Sequence, residues 1–210
     1  MELEYKGGNC VVITHKKEEI ITDPKLSDIG LKDLGANAAV HLLTQNRFAA
    51  PHADETIVID GPGEYEVNNC SVWGIAASTH LAPEGPKTAT MYRLDLDEIT
   101  VAILGHIAPK LSDTQLEEIG VVDVLVLPVG GYGYTLEPKQ AVDLVRSIEP
   151  KIVVPVHYAE DGVAYEVTQA SLDEFLKELG VTAEEPVSKL KLKAGQLPEK
   201  LTVYRLERTK

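Results

Sequence analysis

Short apolar runs separated by turn-forming residues dominate the first half of the chain, a pattern typical of β-strands. Polar or glycine-containing turns at 16–18, 61–63, 68–69 and 97–98 separate neighbouring runs. Residues 26–34 have an irregular pattern that predicts at most a short helix. The predicted strands are 10–14, 19–22, 39–44, 56–59, 65–67, 71–75, 89–96 and 99–104.

The second half predicts helices that alternate with strands. Ser112 and Gln115 have the spacing of a capping box, which predicts the start of a helix that ends at Gly120. Apolar residues at helical spacing predict two further helices. Their limits are Pro138 to Pro150 and Thr168 or Ser171 to Gly180, with buried strands at 121–127 and 151–156 and terminal strands near Leu190 and Val203.

This order of elements predicts an α/β fold, an αββα sandwich of two packed mixed sheets with outer helices. A doubly wound sheet is the alternative, but it fits the first hundred residues poorly because too few helices separate the strands there. The chain has 210 residues, enough for one domain with its own core. We therefore expect a single domain over residues 1–210.

Composition and charge narrow the classes of partner. The formal net charge of −13 repels nucleic acid and anionic membrane surfaces, so we expect neither as a partner. No apolar stretch approaches the ~20 residues of a membrane span, and the first residues lack the features of a signal peptide. We therefore expect a cytoplasmic protein in which Cys10 and Cys70 are reduced and buried.

Three of the six histidines follow predicted strands and are candidates for a metal site. His80, His106 and His157 each stand at the end of an apolar run. Loops at strand ends commonly hold functional sites, and three imidazoles with a fourth open position would form a catalytic zinc shell. These residues alone do not establish convergence, because unrelated polar residues also occur at strand ends.

The order of these landmarks resembles the metallo-β-lactamase superfamily, and most of all its bacterial branch of small Zn-dependent hydrolases related to ascorbate lactonases. The resemblance spans about residues 5–180 and implies the αββα fold. In this family, a metal-held hydroxide attacks the substrate. The matching segments are Ile-Thr-Asp-Pro at 21–24, Gly-Pro-Gly-Glu-Tyr-Glu-Val at 61–67, the isolated His80, the strand before His106, residues 123–131 and the strand before His157.

The resemblance also locates the ligands that are missing. The family motif Thr-His-x-His-x-Asp-His falls on Thr44 and the six residues after it. Alanine has no lone pair to offer a metal, and arginine stays protonated in proteins. The usual two-metal centre is therefore not intact. The substituted ligand positions are Gln45, Arg47, Ala49 and Ala50.

At the other ligand positions, His80 and His157 keep the family residue, and His106 replaces the aspartate that bridges the metals. Three interpretations stay open. The protein is an inactive or divergent member, in which the charge of Arg47 substitutes for a dication and pairs with Glu64 or an anionic ligand. Alternatively, the three histidines hold one zinc ion that activates water. In the third interpretation, the domain is a non-catalytic interaction or ligand-binding module, and a homo-oligomer is compatible with it.

Further side chains are candidates to line a pocket for a small-molecule ligand. The loop 130–133 is rich in glycine but lacks a Walker lysine, which favours a flexible loop near the site over a phosphate cradle. We expect no cofactor or one zinc ion. The pocket candidates are Glu64, Tyr132, Tyr134 and Tyr158.

Overall fold

The computed structural model describes residues 1–67, 70–80 and 87–209. The expected turn at 68–69 lies outside the described residues. The described helices are α1 (Asp113–Ile119), α2 (Pro138–Ile148) and α3 (Leu172–Leu179). The described strands are β1 (Glu2–Gly7), β2 (Cys10–His15), β3 (Glu18–Thr22), β4 (Val40–Leu42), β5 (Ile57–Ile59), β6 (Gly63–Val67), β7 (Cys70–Ser78), β8 (Thr88–Leu96), β9 (Ile99–Ile103), β10 (Val124–Pro128), β11 (Ile152–Val156), β12 (Ala183–Val187), β13 (Leu190–Lys191) and β14 (Thr202–Leu206).

These strands form two mixed sheets that pack face to face, which confirms the predicted sandwich. The six-stranded sheet has the order β13-β1-β2-β3-β4-β5, and the eight-stranded sheet has the order β12-β14-β11-β10-β9-β8-β7-β6. Strands β6 to β9 are antiparallel neighbours, whereas β9, β10, β11 and β14 run parallel. The carboxyl ends of β7, β9, β10 and β11 therefore lie at one edge of this sheet.

The eight-stranded sheet is buried on both faces, which explains its continuous apolar runs. Along β10, Val124 and Val126 pack into the core between the two sheets. Leu125 and Leu127 alternate with them and pack toward the helices. Successive side chains of a strand point to opposite faces, so this one short strand stabilises two layers.

The outer layers differ from one another. All three described helices pack against the eight-stranded sheet or against each other. The outer face of the six-stranded sheet is covered instead by the segment 26–38, whose only regular element is the 3-10 turn Ser27–Ile29. That turn ends at Gly30, which has a φ of 77°. A glycine in the left-handed conformation commonly ends a helix. The turn therefore does not extend beyond Gly30, and the rest of the covering segment is irregular.

The local predictions are confirmed at most elements. Ser112 caps α1 in a capping box with Gln115, and Ser171 rather than Thr168 caps α3. The sequence pattern did not predict β1, although its residues alternate between buried and partly exposed. It also missed β12, whose glutamates and Pro186 are unusual in a strand. A sheet edge tolerates such residues because no further strand needs their backbone donors.

Two further expectations concern the whole chain. Cys10 and Cys70 are both buried and are not bonded to each other. Among the helices of the described ranges, none is long and apolar enough to span a bilayer.

Candidate functional site

One edge of the sandwich gathers polar residues from the carboxyl ends of several strands. In the six-stranded sheet, Asp23 follows β3 and Thr44 lies just beyond β4. In the eight-stranded sheet, His80, His106 and His157 follow β7, β9 and β11. Strand ends of this kind are where α/β folds commonly place ligands, so this edge is the candidate site.

Two residues with positive φ place the histidines here. Gly105 has a φ of 63°, and a Cβ atom on it would lie 2.6 Å from the Cβ of Thr44. Only glycine therefore lets β9 pass Thr44 and turn toward His106. His157 itself has a φ of 51°, which is uncommon for a residue with a side chain. Such strain persists only where the surrounding packing enforces it.

Aromatic rings pack closely around two of the three predicted histidines. The ring centroids of His106 and His157 are 4.8 Å apart. Tyr134 lies 5.0 Å from His106 and 5.7 Å from His157. Phe48 packs 5.1 Å from His106, and Tyr165 packs 4.5 Å from His157. The structure thus brings together two predicted histidines and one predicted tyrosine.

His80 approaches this cluster through its backbone. Its amide N–H donates to the carbonyl oxygen of His106 at 3.1 Å. Burial lowers the pKa of its imidazole, against a smaller opposing effect of Glu137. Within residues 1–67, 70–80 and 87–209, no three His, Cys, Asp or Glu side chains are grouped so that they could hold a metal ion. The three-histidine zinc site therefore stays a prediction.

Arg47 lies over the aromatic cluster. Its Cζ atom is 4.6 Å from the ring centroid of Phe48 and 5.3 Å from that of Tyr134, as in cation–π contacts. Among the described residues, Arg47 has no carboxylate partner within salt-bridge distance. Glu64, its expected partner, is instead exposed on β6 opposite Trp73.

These residues surround a cavity of about 40 Å³. The other pocket candidates lie elsewhere: Tyr132 is 57% exposed, and Tyr158 is buried and stacked on Tyr5. Of the four substituted ligand positions, only Arg47 contributes to the wall. Residues that line the cavity include Asn9, Asp23, Arg47, His106, His157 and Tyr165.

Three site residues, Asn9, Phe48 and Tyr165, are not predicted by the sequence. Asn9 belongs to the turn before β2, and Tyr165 belongs to a loop more than 150 residues later in the chain. No motif marks either residue. Asp23 stands in the Asp-Pro landmark after β3, so the sequence does contain a signal for this residue.

Several polar atoms of the wall are buried without a hydrogen-bond partner in the described part of the chain. They are the side-chain oxygen and nitrogen of Asn9, both ring nitrogens of His106 and the hydroxyl of Tyr165. His157 differs, since its Nδ1 lies 3.1 Å from Oε1 of Gln169. The tautomer in which Nδ1–H donates to that amide oxygen leaves Nε2 as an acceptor.

Burial sets the charge of the site. It lowers the pKa of His106 well below the ordinary range, and His157 and Arg47 act in the same direction. It lowers the pKa of His157 to about 4. Burial also raises the pKa of Asp23 to about 7, although its two oxygens accept from the N–H and Oγ1 of Thr44 at 2.8 and 2.6 Å. Both imidazoles are therefore neutral near pH 7, and Arg47 supplies the positive charge.

The residues present do not fit the two-metal centre that the resemblance implies. Arg47 places a permanent cation on the wall that His106 and His157 share. Ala49 and Ala50 have no donor atom at two of the ligand positions. Close to the guanidinium, a pair of dications would meet like charge without the carboxylate that normally bridges them.

Comparison with known proteins yields consistent matches. A family model for the beta-lactamase superfamily domain matches residues 2–157. A UPF0173 metal-dependent hydrolase of Thermococcus onnurineus is 31% identical over 200 residues, which cover 93% of this chain and 84% of that protein. A UPF0173 protein of Pyrococcus furiosus is 39% identical over 79 residues, which cover 38% of this chain and 33% of that protein. A crystal structure of a metallo-beta-lactamase superfamily protein from Thermotoga maritima has a TM-score of 0.78 and 27% identity, and the match covers 98% of both chains.

Proposed function

Because the chain belongs to the metallo-β-lactamase superfamily and its UPF0173 metal-dependent hydrolases, we propose that it is a divergent member that binds a small molecule without metal. In this proposal the site has lost the two-metal hydrolysis of the family. What remains is a small, partly polar pocket at the edge of the sandwich, where the family places its chemistry.

One observation carries the proposal. Arg47 occupies a ligand position of the family motif, and it lines the same cavity as His106 and His157. A guanidinium keeps its positive charge throughout the pH range in which proteins fold. It therefore supplies the electrostatic attraction for a ligand that a dication supplies in a metal centre, and it opposes the binding of the dication itself.

A second candidate function is a mononuclear zinc hydrolase that uses His80, His106 and His157. It is favoured by the 4.8 Å approach of the His106 and His157 rings and by the unpartnered ring nitrogens of His106. The two candidates differ in metal content, so one experiment separates them.

The experiment is elemental analysis of protein that has been purified without an affinity tag and dialysed against excess zinc. Our proposal predicts far less than one zinc ion per chain in the wild type. About one zinc ion per chain that is lost in His80→Ala/His157→Ala would contradict it and support the zinc hydrolase.

A matched control identifies adventitious metal. In the described part of the chain, His41 and His52 form a second close histidine pair, with ring centroids 5.6 Å apart and outside the cavity. Zinc that is lost in His41→Gln/His52→Gln but kept in His80→Ala/His157→Ala is bound outside the site. Such zinc is consistent with the proposal.

A further inference from the structure

We infer that the cavity beside Arg47 is a binding site for the carboxylate group of a small organic acid. This inference rests on the proposed function, because it assigns the ligand class of the same metal-free pocket. It adds a specific chemistry, in which the guanidinium binds the carboxylate oxygens and the buried polar atoms of the wall complete the contacts.

Polar atoms without a hydrogen-bond partner are concentrated around this cavity. In the described part of the chain, seven buried side-chain nitrogen and oxygen atoms have no hydrogen-bond partner. Five of them belong to Asn9, His106 and Tyr165, all of which line this one cavity. Asn9 and His106 are 5% and 3% exposed, whereas Tyr165 is half-buried and only its hydroxyl oxygen is enclosed. The Asn9 side chain lies close enough to Asp23 to lower the pKa of that carboxyl group, and the Tyr165 hydroxyl lies close to that of Tyr5, so the two ring nitrogens of His106 are the clearest unpaired atoms. Leaving such atoms unpaired is costly, which indicates a site built for a polar occupant.

The charged residues of the wall limit the charge of the ligand. The cavity is lined by two cations and by three acidic residues. Lys25 is already paired with Asp28 at 3.1 Å, whereas Arg47 has no carboxylate partner among the described residues. Asp23 also lies on the wall and is partly ionised near pH 7, so Arg47 can accommodate no more than one added negative charge, that of a monoanion bound directly to it. Glu166, also on the wall, disfavours a dianion such as phosphate.

The size of the cavity suits a small planar group. A cavity of about 40 Å³ holds roughly three water-sized groups, at 10–15 Å³ each. A carboxylate group has three heavy atoms and is planar. The planar fork of a guanidinium binds such a group through two parallel hydrogen bonds, a geometry that a tetrahedral anion does not match as well in so small a space.

Acetate is the probe for this site. The metal-free protein is titrated with sodium acetate at pH 7 and constant ionic strength, and the imidazole NMR signals of His106 and His157 are followed. We expect saturable shifts of both. Arg47→Gln should weaken acetate binding roughly tenfold to hundredfold, as expected for the loss of a charge-assisted contact, and Arg47→Lys should restore part of it.

A matched control is Arg93→Gln. Arg93 also lies over an aromatic ring, with its Cζ atom 5.0 Å from the ring centroid of Trp73, but it does not line the cavity. Its substitution should leave acetate binding unchanged. Inorganic phosphate at the same ionic strength should bind more weakly than acetate.

The outcomes separate this inference from the proposed function. If acetate binding disappears on treatment with EDTA and returns with zinc, a metal holds the anion and both proposals are wrong. If the protein is metal-free and acetate causes no saturable shift, water fills the cavity and only this inference is wrong. Equal binding by wild type and Arg47→Gln, or by acetate and phosphate, would also overturn the assignment to carboxylates.

Discussion

Replacement of Asp23 by asparagine should stabilise the protein at alkaline pH. The Asp23 carboxyl group is buried between the sheets' edges and accepts hydrogen bonds from the backbone and hydroxyl of Thr44. An asparagine oxygen can keep the bond from the Thr44 N–H, and its NH2 group can donate to the Thr44 hydroxyl instead. Asparagine also tolerates the positive φ of 43° at this position.

The magnitude follows from the pKa of Asp23, which burial raises from 3.8 to about 7. Between these pH values the folded state holds a proton that the unfolded state has lost, so the free energy of unfolding falls as pH rises. The difference corresponds to about 4 kcal/mol once the pH exceeds 7. The asparagine has no such ionisation, so Asp23→Asn should gain on the wild type by up to about this amount between pH 4 and pH 8.

Urea unfolding of both proteins at pH 4, 5, 6, 7 and 8 measures this difference. The two curves of free energy of unfolding against pH should separate progressively over this range. A difference between Asp23→Asn and wild type that is the same at pH 4 and pH 8 would refute the reasoning, whatever its sign.

Two further predictions concern neighbouring groups. Burial lowers the pKa of His157 to about 4. As pH falls below about 6.5, this histidine is therefore protonated in the unfolded state but stays neutral in the folded state. The free energy of unfolding of the wild type should fall by about 3 kcal/mol by pH 4 because of this residue. In urea unfolding at pH 7 and pH 4, the free energy of unfolding of His157→Asn should fall by about this much less than that of the wild type. The same fall in both proteins would contradict this prediction. The Tyr92 hydroxyl oxygen lies 2.8 and 2.9 Å from the carbonyl oxygens of Leu43 and Ile59, which share its single O–H as acceptors. Tyr92→Phe should therefore lower the free energy of unfolding by about 1–2 kcal/mol, and a change below about 0.3 kcal/mol would show that this bond between the sheets contributes little.

The fold was predictable because its signals are local. Apolar runs mark the buried strands, and capping residues such as Ser112 fix where helices begin. The irregular layer over the six-stranded sheet was less predictable. There the burial of Leu26 and Ala38 is decided by packing against β2 and β3, and no periodic pattern records that packing.

The site was predictable only in part. Parallel strands end at a common edge, so the sequence places His106 and His157 at the same edge, but their ring approach across the intervening strand β10 depends on side-chain packing. The lining by Asn9 and Tyr165 does not follow from the sequence, because these residues come from distant loops whose contacts form only in the folded chain. The position of Arg47 over Phe48 and Tyr134 likewise depends on side-chain packing that the motif alignment does not contain.

Zinc titration by calorimetry tests the central claim most directly, with wild type compared to a variant that regains the family ligands. That variant is Gln45→His/Arg47→His/Ala49→Asp/Ala50→His/His106→Asp. We predict that the wild type shows no saturable zinc binding at the site, while the restored variant binds about two zinc ions per chain, as expected for a two-metal centre. Stoichiometric zinc binding by the wild type that is lost in His80→Ala/His157→Ala would contradict the claim that this pocket works without metal.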